Sequence, residues 1–166
     1  EYGAVSSSFL PYVSILPVFS ALRAQSKKLP APRPLDARRK LRHWYWASVF
    51  NNRYSGSVES TSARDFLDIK AWYEDDEAEP AMIAEFAQRF RNLDLRSETK
   101  RGTSVYNGVF NLLVLQGARD LITGDVPQYG DLDHHLMVPA SWCKEHLESG
   151  LGNSILNITP LTADTN

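Results

Sequence analysis

The sequence predicts a mainly α chain: a helical bundle over residues 1–124, then a small motif of short elements over residues 125–166. Two observations carry this. Up to Leu121, apolar residues recur at helical spacing, and the segments are separated by proline, glycine and charge clusters rather than by hairpin turns. Past Gly124 the punctuation tightens, and Pro127, Gly130, Pro139, Gly150, Gly152 and Pro160 leave room only for brief segments. With 166 residues, 43% of them hydrophobic, the chain is long enough to bury a core of its own.

Taken in order, the first helix covers roughly residues 11–25. The stretch Lys28 to Pro34 is an extended linker, because Pro30, Pro32 and Pro34 at alternate positions cannot sustain a helix. A second helix starts near Pro34, a good first-turn residue, and places Leu41, Trp44, Tyr45, Ser48 and Val49 along one face. Arg38, Arg39, Lys40 and Arg42 crowd its first turns, where cations oppose the helix dipole. They need an acidic partner or a phosphate nearby, so this run reads either as a solvated face or as a phosphate contact.

Asn51 to Gly56 is turn-like, and Ser60 to Ser62 then cap a third helix with Phe66, Ile69 and Tyr73 at helical spacing. The acidic run Glu74 to Glu79 ends it. Consecutive carboxylates point in different directions, so the run reads as a hydrated loop rather than a metal site. Pro80 opens a fourth helix, with Met82, Ile83, Phe86, Phe90 and Leu93 facing inward. A fifth, from Thr103 to about Leu121, is apolar nearly all round and should be central.

Charge and cysteine content narrow the function classes. A net charge of −2 gives no global positive field, so any nucleic-acid contact must come from local basic patches. Beside the helix-two arginines, the candidates are Arg53, which either pins the bundle or touches DNA, and the basic loop Lys100-Arg101-Gly102. The single cysteine, Cys143, excludes an internal disulfide and a multi-cysteine zinc site, and fits a reducing cytoplasm. The apolar run from Phe9 to Leu22 is interrupted by Pro11, Pro17 and serines, so no membrane span is expected. With Glu1 first and no signal-peptide pattern, the chain reads as a piece of a longer protein.

The chemistry-bearing residues lie in the last segment. Residues 131–139 read as a short strand, residues 139–147 as a short helix and residues 158–161 as a second strand, with Thr162 as the N-cap of a final helix that contains Asn166. Metal-dependent phosphodiester hydrolysis needs a base for the attacking water and a divalent ion for the developing charge. Histidine suits the first task, since its ordinary pKa leaves it largely neutral near pH 7. Asp133, His134, His135 and Asn166 supply the residue types for both.

The run Asp133-His-His-Leu-Met-Val-Pro139, followed by Asn157-Ile-Thr-Pro-Leu-Thr-Ala-Asp-Thr-Asn166, resembles the HNH or ββα-metal (His-Me finger) nuclease signature. More narrowly, it is similar to the C-terminal region of GmrSD-type modification-dependent restriction endonucleases. The aromatic stretch His43-Trp-Tyr-Trp-Ala-Ser-Val-Phe50, with Arg53-Tyr-Ser-Gly-Ser57, resembles their helical region. The resemblance implies a ββα-metal motif over residues 125–166 and DNA endonuclease activity with Mg2+ or Mn2+. By it, His135 is the general base, His134 a metal ligand with Asp133 as its alternative, Asn166 the second ligand, and Asn157 a structural residue tethering the loop between the strands. It also implies a ParB-like nucleotide-hydrolysing domain before Glu1, DNA as partner, a bacterial cytoplasm and a role in restricting foreign or modified DNA. Two departures stand out: the step from the base to Pro139 is one residue longer than in the common signature, and the chain stops at Asn166. They leave a second reading open, a catalytically inactive helical DNA-sensing or domain-coupling module.

Overall fold

The computed structural model describes residues 1–120, 122–128, 132–148 and 150–162, with Leu132, Asp133 and Pro160 described by backbone alone. Among these the chain is mainly helical, with one small antiparallel sheet of two strands. It divides into two compact units, Tyr12–Leu93 and the combination of Glu1–Pro11 with Asp94–Asn166. No described helix is long and apolar enough to cross a membrane.

The unit Tyr12–Leu93 consists of α1 (Leu16–Ser26), α2 (Arg33–Phe50), α3 (Val58–Glu74) and α4 (Ala81–Phe90). Proline marks three of the four starts: Pro17 and Pro34 lie in the first turns of α1 and α2, and Pro80 stands just before α4. The inner face of α2 is the predicted one, with Leu41, Trp44, Tyr45, Ser48 and Val49 all buried. Asp36, in the first turn of α2, is the acidic partner its basic run requires, accepting from Arg39 at 2.8 Å and Lys40 at 3.0 Å. Arg38, Arg39 and Arg42 are exposed, but Lys40 is not. Its ammonium is buried at 2% exposure, donates to Trp72 O at 2.6 Å and to Asp76, and lies 5.4 Å over the Trp72 ring. Burial pushes the Lys40 pKa down most strongly, yet hydrogen bonds to Asp76 and Asp36 together outweigh it and hold the value above that of an ordinary lysine.

A buried carboxylate ties this unit together. Asp65 on α3, 1% exposed, accepts from Trp44 Nε1 at 2.9 Å, from Tyr54 Oη at 2.9 Å and from Arg53 Nε and Nη2 at 3.0 and 2.6 Å. Four donors from two groups of neighbours thus compensate one desolvated charge. Burial, followed by the Asp65 charge, raises the Tyr54 pKa well beyond the ordinary tyrosine value, so this hydroxyl stays protonated and donating.

The other unit is organised on α5 (Ser104–Leu115). Thr103 caps it, with Oγ1 accepting from Tyr106 N at 3.3 Å. The helix stops earlier than its apolar run suggests because Gly117 takes a left-handed φ of 73° just beyond it. Two buried asparagines one turn apart on α5 hold the N-terminal segment. Asn107 Nδ2 donates to Ser8 O and Leu10 O at 3.3 and 3.1 Å, and Asn111 Nδ2 donates to Phe9 O at 3.0 Å. The approach is close enough at Gly3, φ 73°, that a Cβ there would stand 2.1 Å from Asn111 O, so only glycine fits.

The same unit carries β1 (Leu132–Leu136), α6 (Ala140–His146) and β2 (Ile158–Thr162). The strands are antiparallel and pair His134 with Pro160 and His135 with Thr159. Thr162, the expected cap of a final helix, is the last residue of β2, and residues 163–166, where that helix is expected, lie outside the described residues. Tyr106, Ile155 and Ile158 form the core behind the sheet, with Leu95, Val109 and Leu136 packed on it.

Two outcomes test the polar anchors of the helical unit. Asp65→Ala leaves a buried indole and phenol and a half-buried guanidinium without their acceptor and should lower the unfolding free energy by about 3 kcal/mol, read from urea denaturation. A midpoint equal to wild type would mean the carboxylate contributes nothing net. Hydrogen bonds from Arg39 and then Lys40 lower the Asp36 pKa. A carboxylate lowered on folding contributes stability above its unfolded pKa and loses it as pH falls through the folded value. Asp36→Asn should therefore flatten the stability profile below about pH 4, with little change at neutral pH beyond the loss of the ion pairs.

Candidate functional site

Strand β1 and the loop leaving it are shaped by one side chain. Val138 and Pro139 connect β1 to α6, and Pro139 has no N–H, so Val138 must find partners outside the strand ladder. Asn157, 8% exposed and adjacent to β2, supplies both. Its Oδ1 accepts from Val138 N at 2.9 Å and its Nδ2 donates to Val138 O at 3.0 Å. Nδ2 also donates to Gly152 O at 2.8 Å, while Asn157 O accepts from Met137 N at 2.9 Å. An amide is the side chain that can donate and accept through one rigid plane, which is why asparagine serves here. The segment ahead of β2 is fixed in turn: Ser154 Oγ donates to Leu95 O at 2.9 Å, and Ile155 N donates to Glu98 O at 2.8 Å.

Successive residues of a strand point to opposite faces, and the two histidines illustrate it. The His134 ring packs against Phe110, Tyr106 and Phe9 with centroids 4.6, 5.2 and 5.4 Å away, and its Nδ1 lies 3.1 Å from Tyr106 Oη. It faces the core. His135, half-buried and paired with Thr159, stands on the opposite face of β1. Arg101 borders the strand, with Nη2 donating to His134 O at 2.9 Å. Burial raises the Tyr106 pKa, and the nearby Arg101 charge acts against that rise.

The remaining sequence candidates scatter. Asp133 occupies the strand position two before His135, opposite Leu161, and its side chain lies outside the described atoms. Asn166 lies outside the described residues. Arg38, Arg39 and Arg42 are exposed along α2, whereas Arg53 is committed to Asp65. Lys100 is exposed in the loop that also carries Arg101. Among the described residues no group of three or more His, Cys, Asp or Glu side chains converges in the manner of a metal site. A cleft of about 410 Å3 borders α6, lined by Cys143, Lys144, Leu147 and Asn153 among others, and neither strand histidine lines it.

Sequence reading missed Tyr106 because its partner is 28 positions away and nothing local distinguishes it from a core tyrosine. The buried Asn107 and Asn111 did leave a signal, polar residues at helical spacing within an otherwise apolar helix.

No family model matches the chain, and no solved structure matches it. An uncharacterized protein of Methanocaldococcus jannaschii is 32% identical over 133 residues, which covers 76% of this chain and 22% of that relative. The chain thus spans 22% of the length of the curated relative it matches.

Removing the Asn157 amide should release both polar groups of Val138. Asn157→Ala is expected to cost about 1–3 kcal/mol and to accelerate hydrogen exchange at the Val138 amide more than at amides in α5. Unchanged protection at Val138 would show that the loop holds itself.

Proposed function

We propose that residues 125–166 form an HNH-type (His-Me finger) ββα-metal site and that the protein is the nuclease region of a DNA endonuclease hydrolysing phosphodiester bonds. The observation that supports this most is the Asn157 tether, which holds the loop after β1 against the start of β2 and leaves His135 on the face away from the aromatic core.

In this reading His135 is the general base, accepting a proton from the attacking water through a ring nitrogen on the open face. The side chains available to hold a divalent ion are Asp133, His134 and Asn166. A set of so few protein donors, with water completing the shell, suits Mg2+ or Mn2+, which retain several waters and favour oxygen ligands. Such an ion, when bound, supplies charge stabilisation at the phosphate and the leaving oxygen. Arg101, whose side chain donates to His134 O, and Lys100 in the same loop are the basic groups proposed to contact the DNA backbone. The exposed Arg38, Arg39 and Arg42 offer a second basic stretch. Arg53 serves the helical unit instead.

The biological setting follows from the resemblance alone: cleavage of foreign or modified DNA in a bacterial cytoplasm, coupled to a ParB-like nucleotide-hydrolysing domain in the intact protein. The 22% coverage of its relative leaves room for such a domain. Nicking of supercoiled plasmid by the longest expressible form, with Mg2+ or Mn2+ and nucleotide, tests the reading. His135→Ala should reduce nicking by at least about 100-fold while leaving the thermal unfolding midpoint near wild type. Equal nicking by both proteins, or none by the folded intact protein, would move the assignment to a non-catalytic DNA-sensing module.

A further inference from the structure

Within the helical unit, a cavity of about 230 Å3 is lined by residues from the end of α2, the first turn of α3 and α4. They are Asn51, Arg53, Thr61, Glu85 and Arg89, so every described lining side chain is polar or charged. A ring or an acyl group would find no apolar wall there, whereas a small ion would find donors. Both guanidiniums keep donors unused. Arg53 commits Nε and Nη2 to Asp65, at 3.0 and 2.6 Å, which leaves Nη1 without a partner among the described residues. Arg89 Nη1 donates to Asn51 O at 3.2 Å, and its Nε and Nη2 have no described partner. Glu85 stands four positions before Arg89 on α4, the spacing at which such residues pair, yet no ion pair closes between them. Thr61 adds a hydroxyl. Arginine is the side chain best matched to an oxyanion, since its fork offers parallel N–H donors and stays charged.

We propose that this cavity binds a small oxyanion that keeps a proton, inorganic phosphate or a phosphate monoester: Arg53, Arg89 and Thr61 donate to its oxygens, and its remaining P–OH donates to Glu85. The carboxylate decides the selectivity. Ionised, it only accepts, so it repels a fully deprotonated oxyanion and bonds a protonated one. The last proton of a phosphate monoester leaves at about pH 6, so the protonated form is accessible near neutrality, whereas sulfate has no proton to offer. Charge balance points the same way. Asp65 already neutralises Arg53, and of the other two charges on the cavity Glu85 is negative and Arg89 positive. The fixed charges therefore leave no surplus for a dianion, while a protonated monoanion is held by charge-assisted hydrogen bonds from both forks.

The test titrates the full chain, labelled with 15N, with inorganic phosphate, methyl phosphate or sulfate at constant ionic strength and one fixed pH of about 6. Phosphate should give saturable amide shifts confined to residues 51–53, 61 and 85–89, and sulfate at the same concentrations should not. Arg89→Gln should weaken phosphate binding by about 10-fold or more, the scale of a lost hydrogen bond to a charged group. If that variant lowers the thermal unfolding midpoint, Arg89→Lys, which keeps the charge and loses the fork, should weaken binding in the same direction. Glu85→Gln, whose amide also donates, should let sulfate produce the shifts that phosphate produces in the wild type. Arg53 is left in place because it also holds Asp65.

Methyl phosphate that matches inorganic phosphate assigns the site to monoesters as well, and methyl phosphate that fails while phosphate binds assigns it to the free ion. Sulfate that binds the wild type as tightly as phosphate, or that is still excluded after Glu85→Gln, overturns the selection by the carboxylate. The absence of saturable shifts around the cavity, or full phosphate affinity in a folded Arg89→Gln or Arg89→Lys protein, overturns the site.

Discussion

The two-stranded sheet depends on the amide of Asn157. A pair of five-residue strands is marginal by itself in water, and its exit loop carries backbone groups that neither strand can satisfy. By accepting from Val138 N and donating to Val138 O, Asn157 removes two unsatisfied groups at once and brings the loop against the start of β2. With that closure the register follows, His135 opposite Thr159 and His134 opposite Pro160. A slip of one residue would exchange the faces of the two histidines and put the wrong ring into the aromatic pocket. One side chain thus fixes which imidazole meets solvent, a requirement for any proton transfer from water.

Buried polar groups with more than one partner recur through the molecule. Asp65 gathers an indole, a phenol and a guanidinium, Lys40 gathers two carboxylates and a carbonyl, and Asn107 and Asn111 hold three successive carbonyls of the N-terminal segment. Each cost of desolvation is met by several hydrogen bonds, and each arrangement tolerates few alternatives, because a displaced partner leaves a charge or amide unpaired in low dielectric. Apolar packing alone would allow helices such as α2 and α3 to slide. The Trp44–Asp65 and Lys40–Trp72 bonds set their rotation and level.

The proposed chemistry uses little of this machinery directly. The aromatic stretch of α2 is core, with Trp44 buried at 0% and its indole N–H bound to Asp65 rather than to any base. Arg53, a candidate for DNA in the sequence, is drawn inward by the same carboxylate. Beside the strand histidines, Arg101 of the loop before α5 donates to His134 O.

What was legible in the sequence was local. Pro34 and Pro80 marked helix starts, apolar periodicity named the inner face of α2, and the short punctuated segments past Gly124 pointed to a strand, a short helix and a second strand, because each of these signals acts within one or two turns of its own residue. The early end of α5 was not, since a left-handed Gly117 ends the helix whatever hydrophobicity follows. Nor were the partners of Lys40 and Asp65, or the inward face of His134. Those were decided by tertiary structure, because they depend on donors and acceptors 11 to 36 positions apart meeting where water is excluded, and residue type alone does not say which side chain will lie opposite which.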